Sequence, residues 1–399
     1  MSIFSLIARK FAWISICGFL TFMLVACSAG SGTQAGGTSS AAPTKKTPAG
    51  PAGQVTEFTI PVSDNSSQFS FPIAITSGPD GNLWFTEAGT SSDPSQQTSQ
   101  SFIGRVTPAG KVTEFPLPTT NILPTGITKG PDGNLWFTES ATISTASNQL
   151  AKIGYITPQG DFNEFLMPAA GINPLTITTG SDGNLWFTDS LMGKIGRMST
   201  HGKLTEFPLP AAYSFLRGIT SGPDGNLWFT EISSSGSTSV GKIGRITPTG
   251  SIQEFPLTEA NSSPAMITSG PDGNLWFTET ISNGPNISSK IGRITPTGVI
   301  TIFSIPNAQG YSQGGGGYLY GIGFGPISIA KGPDGNLWFS GIFRKGMIGR
   351  ITPAGIVSEF SLPNSEGISY GISSGPDGNL WFTASASSHS WIGRITSGQ

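Results

Sequence analysis

The chain has 399 residues, of which only 11% are charged, with 55 glycines, 30 prolines and a formal net charge of −2. That balance leaves no basic stripe for a phosphate backbone, which argues against nucleic acid as a partner. Two cysteines exclude a disulfide framework, and two histidines leave little for a histidine-based metal or catalytic centre.

In chain order the first element is a targeting segment. Arg9 and Lys10 precede an apolar run over 11–25 that is short for a membrane span, and the run ends in Leu24-Val25-Ala26-Cys27. These four residues resemble the bacterial lipobox. The resemblance implies that 1–27 is a lipoprotein signal peptide with Cys27 as the lipidated residue. Such a chain is tethered to the cell membrane by its anchor only and faces the extracytoplasmic side. Residues 28–53 are rich in Gly, Ser, Thr and Pro and read as a flexible linker. Residues 54–399 are predicted to form one folded domain.

Within that domain the word GPDGNLWFTE at 78–87 returns almost unchanged at 130–139, 222–231 and 270–279, and in looser form at 180–189, 332–340 and 375–384. It places tryptophans at Trp84, Trp136, Trp186, Trp228, Trp276, Trp338 and Trp381. A fixed word at this period marks a repeat architecture. Four strand-like words belong to each copy: in the second they are TGIT at 125–128, NLWFT at 134–138, KIGYIT at 152–157 and FNEF at 162–165. Tight PDG and PxG turns join the first to the second and the third to the fourth. The prediction is an all-β fold, a seven-bladed β-propeller of four-stranded antiparallel blades, with the tryptophans filling the layers between blades.

The fourth-strand word first occurs at 55–58, ahead of any first-strand word, and the last repeat stops three strands in. The ring is therefore predicted to be closed by the N-terminal strand 55–58 completing the last blade. Arg105/Glu114, Arg197/Glu206, Arg245/Glu254 and Arg350/Glu359 share one spacing and are expected to face each other across the third and fourth strands. Closure then expects Arg394 to face Glu57.

Long, variable loops lie at the end of the blades away from the tight turns, and this loop face is where binding is expected. The acids ending the Trp word, Glu87, Glu139, Asp189, Glu231 and Glu279, point to that end and suggest a metal. Against this, Lys152, Lys194, Lys242 and Lys290 open the following strand and come and go with the acids, which favours hairpin ion pairs. Glu87 meets Phe102 instead of a lysine, making it the candidate metal-binding or ligand-binding carboxylate. The inserted segment 309–325 combines glycines with Tyr311, Tyr318, Tyr320 and Phe324. It reads either as an aromatic lid over the central opening or as a loop packed on its own blade.

The repeated GITKGPDGNLWFTE (126–139) and KIGRITPTGSIQEFPL (242–257) resemble the streptogramin B (virginiamycin B) lyase family over 55–396. The resemblance implies a seven-bladed propeller and a Mg²⁺-assisted carbon–oxygen elimination that opens cyclic depsipeptides. It also implies site positions two residues before the IT of each first strand, here Ile73, Thr125, Leu175, Arg217, Ala265, Ile327 and Tyr370. The family carries a tyrosine there in its first blade and histidines in its last two, with a glutamate before the final one and a metal-binding glutamate ending the last Trp strand. This chain has Ile73, Ile327 and Tyr370, then Ile368 and Ala384. Of its two histidines, His201 lies in a tight turn and His389 in a loop on the loop face. The expectation is thus a monomeric ligand- or protein-binding module for a small molecule, glycan or protein. Its contacts are drawn from Thr125, Arg217, Tyr370, Glu87 and the insertion aromatics. The alternative is a Mg²⁺-dependent lyase or a diverged hydrolase in which Tyr370, Glu87 or His389 replaces the missing groups.

Overall fold

The structure is a computed structural model and describes residues 51–61, 68–91, 99–141, 150–169, 171–210, 214–235, 238–283, 286–306, 310–311, 325–343, 346–363, 367–386 and 389–398. Cys27, the rest of the leader and most of the linker lie outside the described residues. So do Tyr318, Tyr320 and Phe324. Among the described residues there is no helix, and the strands form seven antiparallel sheets arranged as a propeller.

Blade one consists of Gln68–Ser77, Leu83–Ser91, Phe102–Val106 and Val112–Pro116, and blades two to six repeat this order along the chain. Each first strand lies at the centre. In blade seven, Ile368–Ser374, Leu380–Ser385 and Ser390–Ile395 are followed in space by Val55–Thr59, so the N-terminal strand closes the ring.

The recurrent word is explained letter by letter. In blade one the indole Nε1–H of Trp84 donates to Oδ1 of Asp80 at 3.0 Å, the Asn82 amide N–H to the same oxygen at 3.2 Å, and the Asn82 side chain to Oδ2 at 2.7 Å. Gly81 takes φ +76°, which the turn requires, and a Cβ on Gly78 would lie 2.4 Å from Cδ1 of Trp84. The tryptophan then packs into the next blade. Trp84 joins Leu135 and Phe137 of blade two, and Trp381 joins Leu83 and Phe85 of blade one, so every core cluster is shared by two neighbours. A fully buried large side chain stabilises by about 1.5–3 kcal/mol, and no single blade could bury these faces alone.

The arginine on the third strand locks this layer from outside. Arg105 lies over Trp84 and Phe115, each 5.3 Å from its guanidinium carbon, and donates to the carbonyl of Pro158 in blade two at 3.0 Å. In five blades the arginine also approaches the turn aspartate at 3.6–3.9 Å.

This corrects the expected arginine–glutamate pairing. Glu114 stands opposite Gly104, and Arg105 opposite Thr113. Five residues, from Thr107 to Lys111, separate the last pair Val106↔Val112, with Gly110 at φ +91° and its N–H donating to Thr107 O at 2.8 Å. That turn is one residue longer than the spacing assumed. With side chains alternating faces, a one-residue shift puts arginine and glutamate on opposite sides of the blade. Likewise Glu57 pairs with Gly393 and Arg394 with Thr56, so the closing strand is the predicted one in a register shifted by one.

Closure reaches further back than that strand. Gly53 N–H donates to Thr396 O at 2.9 Å, and Thr396 N–H donates to Gln54 O at 3.0 Å. The sequence PAGQVTEF at 51–58 nearly copies PAGKVTEF at 108–115, and Phe360 covers Gly53 just as Phe58 covers Gly110. Thr396 therefore completes a turn whose remaining residues come from the other end of the fold.

Candidate functional site at the central opening

In all seven blades the first strand carries a β-bulge just before its IT-like pair, between Pro72 and Ile75 in blade one and between Ser369 and Ile372 in blade seven. Bulges re-aim side chains and are frequent beside active sites. The residues inside them are led by Ile73, Thr125, Leu175, Arg217, Ala265, Ile327 and Tyr370, the positions at which the sequence comparison placed the site.

What holds the bulges is the threonine of the Trp word. Thr86 accepts from the Ala74 N–H at 3.0 Å and donates to the Thr125 carbonyl of the next blade at 2.9 Å. Thr138 joins Gly126 N–H (2.8 Å) to Leu175 O (2.9 Å), and Thr230 joins Gly218 N–H (2.9 Å) to Ala265 O (2.5 Å). Thr188 and Thr278 do the same, donating to Arg217 O at 2.8 Å and Ile327 O at 3.0 Å. Ser340 donates to Tyr370 O at 2.5 Å, and Thr383 closes the circle by donating to Ile73 O at 2.8 Å. One hydroxyl per blade thus reaches the next bulge, and in six blades it also accepts from an N–H of its own bulge. Sequence reasoning missed this circle, although a hydroxyl after WF in every copy was the signal.

The bulge side chains form a ring of mixed character. Ile73, Leu175 and Ile327 are half-buried and apolar. Arg217 is buried, with its guanidinium carbon 5.5 Å from the Phe215 ring. Tyr370 packs against Phe71 at 5.1 Å between ring centroids, and its hydroxyl lies 3.4 Å from Ser385 Oγ. Burial pushes the Tyr370 phenol above its ordinary range, so it is a neutral hydroxyl. Thr125 is buried and fully engaged, its hydroxyl 2.7 Å from that of Thr138 and donating to Leu175 O at 2.8 Å. His389 is exposed in the blade-seven hairpin, 4.9 Å from the Trp391 ring, and His201 is an exposed turn residue. The insertion is described only at its ends: Gly310–Tyr311 adds to blade five opposite Asn286 and Ile287, and Gly325 opens blade six.

The acids of the Trp word are not surface groups. Glu87, Glu139 and Glu231 are 0% exposed, Asp189 1% and Glu279 2%. The expected hairpin pairs are also corrected. Glu139 stands opposite Lys152, but the lysine bonds to Glu164 of the fourth strand and to Thr119. Lys194 pairs with Glu206 at 3.1 Å. Only Lys242 bridges both carboxylates, Glu231 at 3.2 Å and Glu254 at 2.7 Å. In blade five the fourth strand offers Ile302 instead, and Lys290 turns to Glu259. The fourth-strand acid is reached because the register brings it diagonal to the lysine.

These environments set the charges. Asp189 accepts from the Asn173, Leu191 and Met192 amides at 3.0–3.3 Å and caps its tight loop, with burial still raising its pKa. Glu139 has no hydrogen-bond partner on either oxygen among the described residues. Burial, and then the charge of Glu164, push it up to about 8 against the opposing pull of Lys152.

The donor set does not fit a Mg²⁺ centre. Such an ion needs several oxygen ligands in near-octahedral array, and the positions implied for it supply Ala384, Ile368 and a buried neutral phenol. Among the described residues no three His, Cys, Asp or Glu side chains converge. Glu87 sees one further carboxyl, Glu114, and the Ser70 hydroxyl.

Residues 48–143, 94–314 and 318–399 match the Virginiamycin B lyase family. No curated protein matches the sequence significantly. Among solved structures, a catalytically inactive histidine-to-alanine variant of virginiamycin B lyase from Staphylococcus aureus, with quinupristin, is 32% identical over 86% of this chain and 99% of its own, with a TM-score of 0.65. A streptogramin B lyase structure is 30% identical over 86% of this chain and 98% of its own, with the same TM-score of 0.65.

Proposed function

The chain belongs to the virginiamycin B lyase family, and from that premise we propose that it is a lipid-anchored, extracytoplasmic binding propeller rather than a lyase of the family's usual chemistry. The carrying observation is the composition of the bulge ring. Seven bulges aim side chains at one central opening, and they present aliphatic surface, one arginine and one neutral phenol, with no histidine and no cluster of metal-binding acids. Elimination needs a base for the proton and a cation for the developing charge. A ring of this kind instead suits a molecule with an apolar body and a carbonyl or acidic group that Arg217 and Tyr370 can engage.

The position of the fold's N-terminal end supports the topology. Pro51–Gly53 lies in a turn at the end of the blades away from the long loops. A tether running from Cys27 through residues 28–50 joins the propeller at that end, opposite the loop face.

Quinupristin is the probe of choice, because a relative was solved with it. The protein is incubated with the compound with and without Mg²⁺, and binding, retention and mass are followed together. Saturable binding of unaltered compound, weakened roughly tenfold or more by R217A, is the expected result. A product of equal mass and altered retention means elimination, and a product heavier by one water means hydrolysis. Either overturns the binding reading. Absence of both binding and turnover removes depsipeptides as the ligand class.

A further inference from the structure

Blade one departs from the others at a single point. In blades two to five the acid ending the second strand lies beside a lysine on the third, and in blade four the ammonium sits between two carboxylates, at 3.2 Å from Glu231 and 2.7 Å from Glu254. Blade one keeps both acids, Glu87 and Glu114, in the same register, since Glu87 stands opposite Phe102 and Glu114 opposite Gly104. The cation between them is missing because Phe102 occupies the lysine position.

Among the described residues no other cation takes that place. The charged and titratable residues on the elements packed against Glu87 are Arg105 and Glu114 in its own blade, Lys129 in blade two, exposed at the turn end, and Tyr370, Arg394 and Glu57 in blade seven. Arg105 is committed to Pro158 O at 3.0 Å and Arg394 to Pro108 O at 3.1 Å, both at the turn end. Tyr370 is neutral, and Glu57 is exposed on the outer strand. The joining segments 62–67 and 92–98 contain no lysine, arginine or histidine in their sequence. Glu87 is 0% exposed, and the groups at its carboxyl are the Glu114 carboxyl and the neutral Ser70 hydroxyl. Two ionised carboxylates facing each other in such a place are strongly unfavourable, and a proton neutralises the pair at the least cost.

We propose that Glu87 and Glu114 bind a single proton where blades two to five carry a lysine ammonium, and that losing it loosens the loop end of blade one at the edge of the central opening. The direction of the Glu87 equilibrium agrees: burial first, and then the Glu114 charge, raise it well above the ordinary carboxyl range. Glu114 is raised less and serves as the acceptor. The connection to the opening is short. Glu87 pairs with Pro72, whose neighbours are Phe71, tilted against Tyr370, and Ile73, in the bulge ring. The proton-bound pair is the compact state, so its contribution is fully present below the ordinary carboxyl pKa and is lost as pH rises from there through the raised pKa of Glu87.

The test compares full-length protein with E87Q, E114Q and F102K by infrared difference spectroscopy and by thermal unfolding from pH 4 to pH 10. A protonated-carboxyl carbonyl band at neutral pH that disappears in E87Q, and that titrates away in the wild type on alkalinisation, is expected. The wild-type Tm should fall relative to that of E87Q over the same range. F102K should replace the proton by an ammonium and flatten the profile; if it does not fold, the E87Q spectrum still decides. Absence of the band, or parallel Tm profiles for wild type and E87Q, overturns the proposal. So does a Tm that responds to Mg²⁺ or a chelator in wild type but not in E87Q, which would put a metal at the pair.

Discussion

At the scale of single residues, the turn aspartate governs more than its position suggests. Asp224 takes the indole N–H of Trp228 at 3.0 Å and both donors of Asn226, and faces Arg245 at 3.7 Å. Burial raises its pKa, but these donors outweigh burial and leave it below the ordinary value. Its contribution is thus present above the unfolded-state pKa and is lost as pH falls through the folded one. Asp224→Ala is expected to cost about 1–3 kcal/mol, since the buried indole N–H loses its acceptor. Urea denaturation at pH 7 measures this, and the difference between wild type and variant should shrink below about pH 4. Glu139 behaves in the opposite sense. Pushed up to about 8, it stabilises while protonated and loses that contribution as pH rises through that value. Glu139→Gln should leave Tm unchanged near pH 4 and raise it progressively relative to wild type as pH rises to about 8, where the difference levels off. The sequence told these acids apart poorly, because burial and the choice of lysine partner depend on the register rather than on the spacing that was read.

At the scale of the strand, the bulge is the working unit, and its hydroxyl bridge is what a substitution tests. Thr86→Val keeps shape but strands the Ala74 N–H and the Thr125 carbonyl in a buried layer, at a cost of about 1–3 kcal/mol. Faster hydrogen exchange at Ala74, with the remaining blades protected, is the expected reading; unchanged exchange would mean that the bulge holds without the bridge. The four strands of each blade, their order and the turn positions were legible in the repeated words, whereas the strand Gly310–Tyr311 added to blade five was not. The bulges were not, since nothing in GIT or AIT marks an extra residue. Yet the ring positions beside them were found through the resemblance. The register error came from one residue of turn, Gly110 in the left-handed region, and a period of two converts that into a change of face.

At the scale of the whole molecule, closure depends on a strand from the far end of the chain. Phe58 stacks on Trp381 with centroids 5.2 Å apart, and Ile60 joins the core between blades seven and one. Phe58→Ala should cost about 3–5 kcal/mol, read by calorimetry as one cooperative transition moved to lower temperature. Removal of 51–61 should abolish that single transition. The ring was legible because the fourth-strand word stands before any first-strand word, whereas the contents of the central opening depended on side chains that the repeat leaves free to vary.

The turn divided between Thr396 and Pro51–Gly53 has a further consequence. Six copies of this turn are continuous, and the seventh is the same turn interrupted by the chain's own termini. Linear order is therefore an accident of where the gene is cut, and a circular permutant with Thr396 joined directly to Pro51 and new ends at the Pro108–Ala109 bond should fold to the same propeller. In that permutant the proposed tether would leave from the corresponding turn of blade one, moving the point of attachment around the ring without altering the opening it carries.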